Sequence, residues 1–285
     1  MATKGFTRRL FSSVALTVGA LVAVVGVGWT PAANAATVEN TPFPGGPMVR
    51  AASGGSSVPT ISENWSGYAA TSAKAFTYVH STFVEPTITC PGVADQWTSN
   101  WVGLDGFNDS TVEQDGTFAH CGGAGNTTPK YQAWYEMYPA GSVNVFNVKP
   151  GDIIDASVTY ANGEFSLTVS DLTSGKSATN VAACSTCTRA SAEWIIERPA
   201  LCNNAGTKCF LTELADFGTS TMGGDEAQVT GGKVKGVNGF TNYPIYMVDP
   251  VSGGGFISLD TVSPLSGKTF TATWDRSGNT VPITL

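Results

Sequence analysis

Basic side chains are scarce in this sequence. It has 15 Lys and Arg against 22 Asp and Glu in 285 residues, and charged residues make up only 13% of the chain. So few cations exclude a nucleic-acid partner, because that affinity rests on neutralised phosphates. Histidine is scarcer still: only His80 and His120. Neither belongs to an HExxH motif or has a partner at metal-ligand spacing, so no metal and no cofactor is expected. The GxSxG nucleophile elbow is absent, and nothing supports a serine triad on either histidine. Both are expected at the surface or in loops. The Asp-Thr-Gly and Asp-Ser-Gly turns that carry paired catalytic aspartates are missing too. A hydrolase built on this sequence must work with carboxylates and amides.

One long apolar run is present, at 10–29. Lys4, Arg8 and Arg9 precede it and Ala33-Asn34-Ala35 follows, the layout of a cleavable secretory signal over residues 1–35. Its glycines and the small-residue triplet argue against an uncleaved membrane anchor. The expectation is a secreted protein with no membrane attachment after cleavage. Loss of the signal leaves 12 Lys and Arg against 22 Asp and Glu, a net charge of −10. In acid such a chain carries few positive charges, so the self-repulsion that drives acid unfolding is limited.

Residues 36–60 are rich in Pro, Gly, Ser and Ala and lack a periodic apolar pattern, as in a linker or short propeptide. From 61 to 285 the texture is uniform, which predicts one domain. Six cysteines in an exported chain read as disulfides, with 15 possible connectivities. Spacing favours Cys202 with Cys209 and Cys184 with Cys187, leaving Cys90 for Cys121. A redox or zinc role for the CxxC competes, but no helix, second CxxC or nearby histidine accompanies it.

Short β-branched or alternating runs at 153–160, 164–169, 256–260 and 268–274 are separated by turn signals such as Asn162-Gly163 and Ser174-Gly175. No helical period stands out. The expected fold is all-β: a sandwich of two curved antiparallel sheets, whose concave face could hold an extended peptide or glycan.

Four segments concentrate aromatic side chains with acids and amides: Glu63-Asn64-Trp65-Ser66-Gly67-Tyr68; Asn100-Trp101-Val102-Gly103-Leu104-Asp105-Gly106 leading to Glu113-Gln114-Asp115-Gly116; Tyr131-Gln132-Ala133-Trp134-Tyr135-Glu136-Met137-Tyr138; and Ala192-Glu193-Trp194-Ile195-Ile196-Glu197. Period-two geometry puts Gln132, Trp134, Glu136 and Tyr138 on one face of their strand, and Glu193, Ile195 and Glu197 on one face of theirs. Carboxylates among aromatics are costly unless solvated, paired or used. The plainer alternative is acids on a solvent face beside ordinary core aromatics.

In this order, the motifs resemble the glutamic peptidase family (eqolisins) over about residues 63–275, and the last two motifs are the most specific. The resemblance implies a lectin-like (concanavalin-type) jelly-roll sandwich that cleaves protein or peptide substrates; nothing in the sequence asks for a partner subunit, so a monomer is expected. It implies a catalytic pair Gln114 and Glu197, with Trp65, Trp101, Asp105, Trp134 and Glu136 lining the cleft. It also implies that Glu197 activates a water while the Gln114 amide stabilises the oxyanion. The sequence departs from the family pattern at Asp115, where a small hydroxyl residue is familiar, at Gln132, where an acid is expected, and in its cysteines. Two rival readings use the same fold. One is a non-catalytic carbohydrate-binding protein; the other is a glycosidase built on Glu136 and Glu197.

Overall fold

The apolar alternation of the sequence is realised as two stacked sheets in a computed structural model that describes residues 48–50, 60–93, 96–203 and 208–283. The predicted signal at 1–35 and most of the 36–60 segment lie outside the described residues.

The larger sheet has ten strands. Its main path runs Thr60–Ser62, Thr241–Pro250, Trp65–Thr71, Ser191–Glu197, Gln96–Leu104, Val112–Gly122, Thr128–Tyr138 and Val143–Asn147. The smaller sheet runs Lys176–Ala183, Glu164–Asp171, Ile153–Ala161, Phe76–Val84, Thr219–Val229, Thr269–Trp274 and Asp260–Val262. Pairing is antiparallel, except that Thr60–Ser62 lies parallel to Thr241–Pro250 and Glu213–Leu214 parallel to Gln96–Leu104.

The expected strand at 256–260 is two strands. Phe256–Ser258 pairs in the larger sheet and Asp260–Val262 in the smaller. Between them the chain crosses from one layer to the other at Leu259, which is fully buried. A continuous β-type run records extended backbone but not a change of partner sheet. The three disulfides join Cys90 to Cys121, Cys184 to Cys187 and Cys202 to Cys209, the pairing that spacing favoured.

Alternation gives the larger sheet two buried faces. Val102, Leu104, Ala119, Ala133, Ala192, Trp194 and Ile196 point inward and pack with Val79, Val158, Leu167 and Phe270 of the smaller sheet. Trp65, Trp101, Phe118, Trp134 and Ile195 form a second apolar cluster on the outer face. Hydrogen bonds cross the interior: Trp194 Nε1 donates to the His80 carbonyl at 2.8 Å, and Asn100 Nδ2 to Ser220 Oγ at 2.7 Å.

Both histidines lie on strands, correcting the surface-or-loop expectation; a strand side chain at a sheet face is half-buried whatever its polarity. His80 bonds Asp155 at 2.8 Å and the Gly224 carbonyl at 3.2 Å, and the Asp155 bond raises its pKa. His120 stacks on Trp97 at 4.1 Å, and burial pushes it down to about 4. Residues 48–50, part of the 36–60 segment, pair with the domain. Arg50 bridges to Ser62, Met48 N–H bonds the Gly106 carbonyl at 3.2 Å, and Met48 packs into the outer cluster.

Several buried carboxyls form no ion pair among the described residues. Burial raises Glu85 to about 8, Asp225 and Asp260 to about 7, and Asp115 well above the usual range. Hydroxyl bonds from Ser81 to Asp225 and Ser66 to Asp260 only partly oppose the shift. With folded values above the unfolded ones of about 4, the stability these groups contribute is fully present below pH 4 and lost as pH rises through 7–8. Thermal melts of the disulfide-intact protein should therefore show the highest Tm near pH 3–4. A net loss of only about 3 kcal/mol lowers Tm by roughly 6–12 °C in a domain of this size by pH 8. A Tm that climbs from pH 4 to pH 7 would show these carboxyls to be ionised in the native state.

Candidate active site

The outer face of the larger sheet is organised as rungs, because neighbouring strands set residues of like parity opposite one another. One rung holds Glu136, Gln114, Gly103 and Glu193. The next holds Trp134, Gly116, Trp101, Ile195 and Gly67. The third holds Gln132, Phe118, Ser99, Glu197 and Trp65. Four of the residues singled out in the sequence, Trp65, Trp101, Trp134 and Glu136, thus share this face with Gln114 and Glu197.

Gln114 and Glu197 do not lie opposite each other. They flank strand Gln96–Leu104 and are offset by four residues along it, about 13 Å of extended chain. The Trp101 ring spans that gap. Its Nε1 donates to Glu197 Oε2 at 2.8 Å. Its far edge lies over Gly103, where an added Cβ would sit 2.9 Å from Trp101 Cζ3 and 3.2 Å from Gln114 Cβ. Gly103 and Gly116 are what allow the indole to lie flat against the sheet; a Cβ at 116 would come 2.7 Å from Trp101 Cβ.

Each polar group is oriented by a partner. Gln114 Nε2 donates to Glu136 Oε2 at 2.6 Å, while Gln114 Oε1 has no partner. Glu197 accepts from Trp101 and, at 3.2 Å, from Asn64 Nδ2 on Oε1. Trp65 packs edge-on against Trp101 with centroids 4.9 Å apart. Burial raises Glu197 to about 8, against the lowering effect of Trp101, Asn64 and Trp65 in that order. The face is closed in this chain: Gln114, Glu197, Trp65, Trp101 and Trp134 are all 0% exposed. A polymer reaches them only after something moves aside.

Asp105 has a different setting. It sits at positive φ beyond the strand end, and its carboxylate accepts from the Arg189 and Ala190 N–H groups at 2.6 Å each and from Thr188 Oγ1 at 3.0 Å. It staples the loop that leads into strand Ser191–Glu197, the strand that carries Glu197. Asp115 points inward, where the backbone of Thr168 and Ser157 only partly offsets its burial. Gln132 lies on the outer face but bonds Asn147 and Asn144 of the edge strand.

Sequence reasoning gave Asn64 no role, although it stands next to Trp65 in the first motif. Glu193 was placed on the right face but likewise given no role. It is fully buried, and burial drives its pKa well above the usual range despite a Ser191 bond, with Asp105, Asp109 and Glu113 adding to the rise. Glu113, Cys184 and Cys187 lie close enough to suggest a metal site, but both thiols are consumed in a disulfide. The donor set does not fit an ion.

Comparisons with known proteins bear on the family and the fold. The family model described as "Peptidase A4 family" matches residues 63–260. Scytalidopepsin B of Scytalidium lignicola is 33% identical over 165 residues, 55% of this chain and 60% of that protein. The alignment thus spans less than two thirds of that relative. Among solved structures, scytalido-glutamic peptidase with a transition state analog inhibitor superposes with a TM-score of 0.63 at 24% identity, over 75% of this chain and 98% of that one. SCP-B, described as a member of the eqolisin family in a complex with the tripeptide Ala-Ile-His, gives 0.61 at 23%, with the same coverage. At these identities the superpositions show a shared fold.

The packing of the Trp101 rung is open to a direct test. An alanine at 116 would place its Cβ 2.1 Å from the Asn100 carbonyl oxygen, backbone that cannot step aside. Gly116→Ala is expected to lose about 3 kcal/mol or more. Gly223→Ala, on a strand of the smaller sheet with its nearest atom 3.6 Å away, should change stability by less than about 1 kcal/mol. Urea melts yielding equal losses for the two would rule out the close approach at Gly116.

Proposed function

The chain belongs to the peptidase A4 family, the glutamic peptidases, and on that footing we propose that it is a secreted endopeptidase acting in acid through Gln114 and Glu197. The observation that carries the reading is that these two side chains share one aromatic-lined face, each held in a fixed orientation. Gln114 is fixed by Glu136, and Glu197 by Asn64 and Trp101. An extended polypeptide laid across the strands would bring one peptide bond over the Trp101 indole, between the two.

Ionised Glu197 takes a proton from a bound water, and the resulting hydroxide attacks the scissile carbonyl carbon. Gln114 Nε2 has two hydrogens; Glu136 takes one and the other meets the developing oxyanion. The free Gln114 Oε1 can accept from the attacking water. Glu197, now protonated, passes its proton to the leaving nitrogen as the C–N bond breaks, and the ionised carboxylate is restored. A glutamine suits the oxyanion role because its donor does not titrate.

Glu197 at about 8 is neutral in the closed site and cannot act as a base there. Burial is the first cause of that shift, so admitting water returns the carboxyl toward about 4.3, where it ionises in mild acid. We assign opening of the face to removal of the segment within 36–60, with residues 1–35 as the export signal. Trp65, Trp101 and Trp134 then contact the substrate, while Asp105 acts from behind by holding the strand that bears Glu197. The glycosidase alternative is disfavoured, because one Glu136 oxygen is engaged by Gln114 and the Trp101 rung separates Glu136 from Glu197.

The test is hydrolysis of denatured haemoglobin by the secreted protein between about pH 2 and 7, with and without pepstatin. Activity is expected on the acid side and should resist the inhibitor. Glu197→Gln should abolish it, and Gln114→Ala should lower kcat roughly 10²–10³-fold. A folded wild type inert at every pH would overturn the peptidase reading and make glycan binding the next assay.

A further inference from the structure

Glu197 has a neighbour whose orientation is decided by the chain around it. Asn64 Oδ1 accepts from the Val49 N–H at 2.8 Å, and Ser62 Oγ lies 2.9 Å from the same oxygen. An N–H can only donate, so the atom facing Val49 must be the oxygen, and the Asn64 NH2 is committed to the other side. There it meets Glu197 Oε1 at 3.2 Å. Ser62 Oγ also accepts from the Asn64 N–H at 3.2 Å and the Trp65 N–H at 3.0 Å, which ties the turn before Trp65 to the same hydroxyl. Ser62, Asn64, Glu197 and Trp101 are all buried.

On the reading that Glu197 is the general base, we propose that Asn64, locked by Ser62, is a positioning residue that holds the Glu197 carboxylate and favours its ionised form. Trp101 fixes one carboxylate oxygen and Asn64 the other, so the carboxylate plane cannot rotate away from the water it activates. The surroundings are otherwise uncharged among the described residues. Neighbouring strands set Trp65 and Ser99 opposite Glu197. Glu193 lies two positions back on the same strand. Arg198, the next residue, turns its guanidinium to Asp249 and to the Glu63 and Asn279 carbonyls. Neutral donors, Trp101 first, then Asn64 and Trp65, are therefore what opposes burial at Glu197.

The lock does not require residues 48–50 to stay. The single Ser62 hydroxyl proton is shared between the Val49 carbonyl at 3.0 Å and Asn64 Oδ1 at 2.9 Å. Where the Val49 carbonyl leaves, that proton goes to Asn64 alone, and the amide keeps its orientation.

The experiment is a pH profile of kcat and KM on a fluorogenic peptide for wild type, Asn64→Ala, Ser62→Ala, Ser62→Thr and Glu197→Gln, each checked for folding by thermal melt. Loss of one neutral donor should move the acid limb of kcat/KM up by about one pH unit. Below that limb kcat should fall about tenfold, with KM changed less than twofold. Ser62→Ala should shift the limb the same way by a smaller amount, and Ser62→Thr, which keeps the hydroxyl, should restore it. A folded Asn64→Ala with an unmoved acid limb overturns the proposal, and so does a defect confined to KM. If Asn64→Ala does not fold, the Ser62 pair decides by the same limb. Glu197→Gln separates the two levels. If it retains full activity, the assignment of the base fails; if it is inactive while the Asn64 and Ser62 variants match wild type, only the positioning role fails.

Discussion

The indole of Trp101 is the contact on which the outer face of the larger sheet depends. It spans the four-residue offset between the Gln114 and Glu197 rungs, donates to Glu197, and abuts Trp65. It can lie there only because Gly103 and Gly116 offer no Cβ. The motif pairing a tryptophan with a glycine two positions on, opposite a strand carrying Gln-x-Gly, is therefore one steric device written on two strands. Remove either glycine and the ring must lift, taking its hydrogen bond to Glu197 with it.

A second constraint runs through the whole molecule. The protein buries many carboxyls yet has few Lys and Arg to pair with them. The buried Arg198–Asp249 pair is an exception, and it anchors the segment around Asn279 next to Glu197. Elsewhere the acids meet hydroxyls, amides or nothing, and burial holds them neutral. In acid this arrangement costs little, since a protonated carboxyl is a tolerable core residue. Toward neutrality each group must ionise in a medium that solvates it poorly. The same chemistry serves the site, where neutral donors rather than a cation tune the central carboxylate.

The two buried faces of the larger sheet explain why the site is both rigid and closed. Its inner face packs on the smaller sheet through Trp194 and its bond to the His80 carbonyl, which fixes the strand bearing Glu197 from behind. Asp105 fixes the start of that strand through the 188–190 loop. The outer cluster, with Met48 in it, shares this face with the polar groups. The strand that bears Glu197 is thus held by two independent attachments, one at its inner face and one at its start.

Much of this was legible in the residues themselves. Alternation put Gln132, Trp134, Glu136 and Tyr138 on one face of their strand and Glu193, Ile195 and Glu197 on one face of theirs, because side-chain direction in a strand follows from parity alone. Turn residues and β-branched runs gave an all-β chain, and cysteine spacing gave the disulfides, since those are local properties. The split of 256–260 between two sheets, the strand positions of His80 and His120, and the docking of residues 48–50 were not legible, for each depends on partners distant in sequence. So does the setting of Asp105, whose motif position looked like a cleft residue but whose carboxylate serves a loop more than 80 residues away. The sequence by itself determined which side chains share a face and which catalytic schemes have no residues to run them. Only the tertiary structure decided register, and with it that Trp101 bridges the pair, that Asn64 faces Glu197, and that burial keeps that carboxyl neutral. Hydrogen-bond partners and desolvation are properties of assembled neighbours, and no single strand contains them.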